Sequence, residues 1–350
     1  MTFSVSAPGR ICLFGEHQDY FGLPVVASAI NLRTTIRSSS RVDRLVQLNL
    51  KDTNERLVWD LDALPAPKPR EYLLIALHLA KREGWLPGKG WDAEVSSGIP
   101  MRAGASSSSA LLVAWCALIA QRKGAYWNQD WAAHAAWRAE VEWFDEPGGK
   151  MDQTVCAFGG TQFIEFEPQF KTMALPMPRG SWVLFDTNQP KDTLGVLSRA
   201  KHRRLELLEE WKADCSTMVL SVPPQFPAHW NAEEQRLMLA TLENKRISAE
   251  GASELAQSPM PLMKIGALLQ QHHHWLSHGI EVSTPRIDSI LKQAQKAGAL
   301  GGKINGSGGG GTGFVLCQSE VEAEVIDAIS MAGGHPIPIA LGAEGVRIED

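Results

Sequence analysis

The chain has 350 residues, a formal net charge of −5 and 44% hydrophobic content. That apolar fraction excludes global disorder, and the length suits two domains or one large one. The mildly acidic balance argues against a nucleic-acid partner, whose recognition needs a basic face.

In chain order, residues 4–7 and 25–36 are apolar and β-branched enough for strands. Residues 45–59 suit a hairpin turning at 51–54, and 65–69 (PAPKP) a loop. Helical spacing marks 72–83, followed by a short strand at 91–97 and a Gly-Ile-Pro break. Helices are expected at 106–121 and 127–144, and strands at 161–166 and 181–186. Further helices are expected over 193–212, 232–243, 262–277 and 285–297, the last with Pro285 in its first turn. Strands return at 313–317 and 336–341. Helices and strands mix without a regular βαβ rhythm, so the expected class is α+β. Prolines and a glycine cluster near 168–180, a plausible boundary.

The longest apolar run, residues 110–120, falls short of the ~20 needed to cross a bilayer. Residues 1–8 lack the basic start and apolar core of a secretory signal. A cytoplasmic chain without a membrane partner is expected. The five cysteines (12, 116, 156, 215, 317) are scattered and show no zinc spacing, which suits reduced thiols. The run His272-His273-His274, with His278, sits where consecutive residues point to different faces of a helix, so a solvated face is preferred over a metal site.

Four segments carry chemistry. APGRICLFGEHQDY (7–20) gathers Arg10, Glu16, His17 and Asp19, donors and acceptors suited to a polyhydroxylated ligand or, equally, to a polar loop between strands. GIPMRAGASSSSA (98–110) runs from a Gly-containing loop into four serines and an apolar helix. Backbone N–H groups at a helix start bind phosphate well, and small residues allow close approach, although one serine would serve as an ordinary N-cap. EVEWFDEPGGKMDQTVCAFGG (140–160) holds carboxylates on both sides of a Pro-Gly-Gly turn. GGKINGSGGGGTG (301–313) can form an anion nest. It is not a Walker loop, because Ile304 stands where Ser or Thr is required after Lys303.

In this order the segments resemble the GHMP small-molecule kinases, the galactokinase branch foremost. GRICLFGEHQDY is similar to the galactokinase signature, IPMRAGASSSSA to the family's second motif, GGKMDQ to its Met-Asp-Gln segment, and KINGSGGGGTG to its Gly-rich third motif. The resemblance implies a two-lobed fold with the active site in the cleft. Residues 1–175 would form the N-terminal kinase domain and 176–350 the C-terminal one. It implies an enzyme that moves the γ-phosphate of ATP, with Mg²⁺, to a sugar hydroxyl, the anomeric one foremost. Asp152 would take the hydroxyl proton and Arg10 would stand beside it. Glu16, His17, Asp19, Gly149 and Asp152 would contact the sugar. Gly104, Ala105, Ser106, Ser107, Ser108, Ser109, Gly306, Gly308 and Gly309 would hold ATP, and Ser108 with Glu140 the metal.

The sequence departs from the family at Ala105 and Ser109, at 190–194, and in the helix after that segment. Galactokinases place a tyrosine there; all three tyrosines of this chain end at Tyr126. Lys191, Arg199, Lys201, His202, Arg203 and Arg204 make the region basic instead. A solvated face accounts for them, or an acidic acceptor such as a uronic acid or heptose phosphate; a pentose is a further alternative acceptor. A non-catalytic sugar and ATP sensor is the alternative outside catalysis.

Overall fold

The structure is a computed structural model that describes residues 2–100, 104–146, 148–166, 169–189, 193–211 and 224–349, with the side chains of 193–199 left out. Its elements run β1 (Thr2–Phe14), β2 (Val25–Ser40), β3 (Leu45–Leu50), β4 (Glu55–Asp60), α1 (Tyr72–Glu83), β5 (Trp91–Ser97), α2 (Ser107–Lys123), α3 (Gln129–Trp137), α4 (Met151–Phe158), β6 (Thr161–Glu165), β7 (Lys171–Leu175) and β8 (Ser181–Asp186). Then follow α5 (Thr193–Trp211), α6 (Ala232–Leu255), α7 (Leu262–His274), α8 (Pro285–Lys296), β9 (Gly301–Asn305), β10 (Thr312–Cys317), α9 (Glu322–Met331), β11 (His335–Ile339) and β12 (Arg347–Glu349).

Two sheets organise them. The first has eight strands in the path β12-β1-β2-β5-β3-β4, with β6 on β2 and β7 beyond it. The second has four strands, β11-β8-β10-β9. Pairing is antiparallel except for β3 with β5 among the described strands, so the class is α+β. The chain crosses from the first sheet to the second between β7 and β8, and β12 returns to pair with β1.

Helix α2 is apolar on every side, and Leu112–Ala120 are buried, as expected of a helix enclosed by other elements. It packs with β1 and α4, and the main core continues into the second sheet through Trp182, Leu184 and Phe314. Among the described residues no helix is long and apolar enough to cross a membrane.

Several elements differ from the sequence reading. GRICLF is not loop but the second half of β1, so Arg10 sits on a strand. Helix α6 runs on to Leu255 from an Asn231–Glu234 capping box. The segment GGKIN is a strand despite its glycines. A Cβ at Gly301 would stand 1.9 Å from the Gly266 carbonyl of α7, and one at Gly302 2.5 Å from that of Phe314. Only glycine permits that approach. Pro285 does open α8, behind a Thr284 cap.

The histidine run is a solvated face only in part: His274 and His278 are exposed, whereas His272 and His273 turn inward. His272 is fully buried and stacks on Phe14 at 6.2 Å, and burial lowers its pKa well below the usual value. His273 pairs with Asp288 at 3.0 Å, and His274 stacks on His278 at 4.7 Å. Among the described residues no group of three or more potential ligands gathers into a metal site. Cys12, Cys116, Cys156 and Cys317 are free thiols; Cys215, Lys191, Pro168 and residues 101–103 lie outside the described residues.

Candidate active site

Strand β1 delivers Arg10 beneath the loop that opens α2, where it is 3% exposed. Its Nε and Nη2 donate to the two carboxylate oxygens of Asp152 at 2.8 and 2.7 Å, and Nη1 donates to the Gly104 carbonyl at 2.6 Å. The planar guanidinium matches a carboxylate in this forked geometry. Burial opposes the charge, but Asp152 and Glu16 outweigh it and hold the Arg10 pKa above its ordinary value. Asp152 lies in the first turn of α4 and accepts a third bond, from Ser106 Oγ at 2.7 Å. Its side chain is still 29% exposed, so one face remains open.

Ser106 occupies the N-cap position of α2 with a left-handed φ of 59°, and its side chain makes no capping bond. The hydroxyl is turned to Asp152 instead. The first N–H groups of α2 therefore keep their partial positive charge without a side-chain cap. Ser107, half-buried, opens the helix, and the backbone of Ala105 is tied to β1 by Arg10 N–H at 3.2 Å.

The third motif meets this loop back to back. Gly306 has φ 77°, and a Cβ there would stand 2.7 Å from the Gly104 carbonyl. Gly308 would clash similarly with the Val282 carbonyl at 2.3 Å, and Gly309 N–H donates to that carbonyl at 2.8 Å. Asn305 fastens the two loops: its amide donates to the Gly104 carbonyl at 2.9 Å and accepts from Cys12 N–H at 3.0 Å.

Helix α3 does not continue as an α-helix to 144; it widens into a π turn at Arg138–Glu142. Such turns re-aim side chains and recur at functional sites. This one brings Glu140 to α2, where Ser108 and Ser109 hydroxyls donate to its two oxygens at 2.8 Å each and Gln153 donates at 2.7 Å. The hydroxyl at Ser109, unusual for the motif, is satisfied here. Burial raises the Glu140 pKa, with the three donors working against it. A half-buried carboxylate met only by neutral donors, with a serine hydroxyl alongside, is a hard-oxygen set that fits Mg²⁺.

The remaining residues of the first segment follow β1, and Asp19 reaches the start of α4. Asp19 Oδ2 accepts from Met151 N–H at 3.4 Å. Gly149 leaves room for that carboxylate, since a Cβ would lie 1.9 Å from Asp19 Oδ2 as it stands. Burial, then the Asp152 charge, lift the Asp19 carboxyl to about 6. His17 has φ 62° and its Nδ1 lies 3.1 Å from the Tyr20 hydroxyl. Glu16 is 2% exposed and pairs with Lys303 of β9 at 2.9 Å.

Three family models match the chain. One described as a galactokinase galactose-binding signature covers residues 2–39, the GHMP kinases N terminal domain covers 71–160, and the GHMP kinases C terminal domain covers 255–332. The chain belongs to the GHMP kinase family. A mevalonate kinase of Thermococcus gammatolerans is 28% identical over 100% of this chain and 99% of its own length. A galactokinase of Pyrococcus furiosus is 27% identical over 93% of this chain and 92% of its own. In fold, this GHMP kinase is similar to the galactose complex of Lactococcus lactis galactokinase, with TM-score 0.85 and 19% identity over 99% of this chain and 95% of that one.

The basic segment of this GHMP kinase is mostly engaged within the fold. Arg203 pairs with Glu206 at 2.8 Å and with Glu234, and Arg204 is fully buried against Tyr20. Lys201 lies 5.7 Å over the Tyr20 ring. The 190–192 segment and the Arg199 side chain lie outside the described residues. Sequence reasoning missed Lys303, Asn305 and Gln153, and its solvated-face reading does not hold for Arg204, which is fully buried. Lys303 and Asn305 stood inside a recognised motif, flanking Ile304.

Proposed function

We propose that this GHMP kinase transfers the γ-phosphate of ATP to a sugar hydroxyl, the anomeric one foremost, as galactokinases do. The observation that carries the reading is the Arg10–Asp152–Ser106 cluster, with Asp152 bound on three sides and open on one. The sugar hydroxyl would give its proton to the open Asp152 carboxylate as its oxygen bonds to the γ-phosphorus and ADP leaves. Arg10 favours the ionised carboxylate and orients it. The α2 N-terminus (Gly104–Ser109) and Gly306, Gly308 and Gly309 would cradle the phosphates, and Ser108 with Glu140 would hold Mg²⁺. When bound, that ion neutralises phosphate charge. Glu16, His17, Asp19 and Gly149 would form the sugar side. In this reading residues 1–175 and 176–350 are the two kinase domains, and the protein works in the cytoplasm.

The mevalonate kinases among the relatives supply a second reading. Mevalonate carries a carboxylate, and Asp19 and Asp152 lie on the acceptor side; two acidic walls suit hydroxyl donors better than an anion. A coupled ATP assay over galactose, other neutral sugars, a pentose, a uronic acid, a heptose phosphate and mevalonate decides between them. Galactose is expected to turn over fastest, giving the 1-phosphate. Turnover of mevalonate with galactose inert would overturn the sugar reading. Tight sugar and ATP binding without turnover would revive the sensor.

Asp19 supplies a pH test. Its folded pKa of about 6 lies above the ordinary aspartate value of about 3.9. Between these values the native state binds more protons than the unfolded one, so this group makes stability fall as pH rises through that window. Sugar binding should move oppositely, because the ionised carboxylate is the better acceptor. The KM for galactose is expected to fall as pH rises from about 5 to about 7, with a midpoint near the Asp19 pKa. Asp19→Asn should flatten that limb; an unchanged limb would remove Asp19 from sugar binding.

A further inference from the structure

Helix α5 lacks the tyrosine expected against the sugar, and an arginine stands on its inner face instead. Arg204 is 0% exposed, and among the described residues it meets no carboxylate. Its Nε donates to the Ala200 carbonyl at 2.7 Å and Nη1 to Thr241 Oγ1 at 3.2 Å. Nη2 donates twice, to the His17 carbonyl at 2.9 Å and to the Tyr20 hydroxyl oxygen at 2.6 Å. The guanidinium also lies 4.5 Å over the Phe21 ring. A buried cation without a counter-ion is costly to keep. What it secures is one loop, and within that loop one carbonyl and one phenol.

The phenol sets a chain of donors. A guanidinium has no acceptor, so the Tyr20 oxygen receives the Arg204 bond and the Tyr20 proton must go elsewhere. Burial raises the Tyr20 pKa, so the hydroxyl keeps its proton. The acceptor within reach among the described residues is His17 Nδ1 at 3.1 Å. An imidazole that accepts at Nδ1 carries its proton on Nε2.

We infer that Arg204 is a positioning residue that acts through Tyr20 to hold His17 as its Nε2–H tautomer, a fixed hydrogen-bond donor for an acceptor hydroxyl. The tautomer stands on the geometry alone; its use in acceptor binding rests on the proposed function. The chain from Arg204 through Tyr20 to His17 gives the loop from residue 17 to residue 20 a defined polarity. It also accounts for His17 staying in a left-handed conformation, since its carbonyl is held by the same guanidinium.

The test uses the full chain with ¹⁵N-labelled histidine and long-range ¹H–¹⁵N correlation spectra at alkaline pH, with His17→Gln to assign the resonance. Wild type should show His17 protonated at Nε2. Tyr20→Phe and Arg204→Met should shift it toward a mixture of tautomers. Both variants should raise the galactose KM by roughly 10-fold, the loss of one oriented bond, with the ATP KM unchanged. Tyr20→Phe removes one oxygen and keeps the ring, so it reports even if Arg204→Met fails to fold. A wild-type His17 protonated at Nδ1, or a tautomer indifferent to Tyr20→Phe, would overturn the inference. Neither spectroscopic outcome depends on whether galactose is the substrate.

Discussion

Asp152→Asn is expected to leave the fold and ATP binding intact while cutting kcat at least ~10²-fold, the lower end for acid–base catalysis. The substitution keeps the size of the side chain. An amide oxygen at the Oδ2 position also keeps the two bonds that end there, from Ser106 Oγ and from Arg10 Nη2, each at 2.7 Å. What it removes is the negative charge that would receive the hydroxyl proton. The charge left behind is that of Arg10, which is 3% exposed, so some loss of stability is expected beside the loss of turnover. Arg10 loses its forked partner but retains the Gly104 carbonyl at 2.6 Å and the nearby charge of Glu16. Nucleotide stabilisation in a thermal shift should therefore persist: a ligand at 100 times its Kd adds ~2.7 kcal/mol whether or not chemistry follows. The decisive pair of measurements is single-turnover phosphate transfer and the nucleotide thermal shift on the same preparation. Near-normal turnover would take Asp152 out of the mechanism. Loss of the nucleotide shift would mean that its role is to build the phosphate loop through Ser106.

How much of this was legible in the sequence depended on whether a residue's role is local. Ser106–Ser109 before an apolar run announce a helix start, and α2 begins there. Pro285 behind Thr284 announces α8. Arg10 and Asp152 are separated by most of a domain, and only the resemblance joined them; composition could offer a polar loop and nothing more. Glu140 was read as a metal carboxylate from the same resemblance, but its delivery by a π turn was invisible, since the 129–142 pattern continues as an ordinary helix would. Strand β9 was hidden because close packing on α7 replaced side chains with glycines and erased the alternation that marks a strand. His272 was misplaced for a related reason: a run of three histidines looks polar, yet one of three consecutive helical positions must face inward. The missing tyrosine was a countable fact. That an arginine of the same helix reaches back to Tyr20 needed coordinates.

Lys303→Met should be among the most destabilising single substitutions in the chain. Lys303 is fully buried, and its ammonium donates to Glu16 at 2.9 Å and to the Cys12 carbonyl at 2.8 Å, with the Phe314 ring 5.1 Å away. Methionine fills nearly the same volume, so little cavity forms. The cost comes from Glu16, which is left buried without its ammonium partner. Breaking a buried pair from one side costs ~3–5 kcal/mol, whereas removing both charges is often nearly neutral. The double variant Glu16→Gln/Lys303→Met should therefore be more stable than Lys303→Met alone, with a coupling energy well above the few tenths expected of independent sites. Urea midpoints at an unchanged m-value measure this directly. If Lys303→Met stays within ~1 kcal/mol of wild type, Glu16 does not depend on the pair. The position of the pair explains why an expensive interaction would be kept. It joins the end of β1 and the Glu16 loop, on the first sheet, to β9, on the second, two residues before Asn305 and three before Gly306. Apolar residues of equal volume could hold the sheets together as firmly. They could not fix the register of β9 against the Glu16 loop, and the phosphate loop and the acceptor loop would then be free to settle at slightly different separations. A geometry in which Asp152 must face both a sugar hydroxyl and a phosphate tolerates little of that freedom.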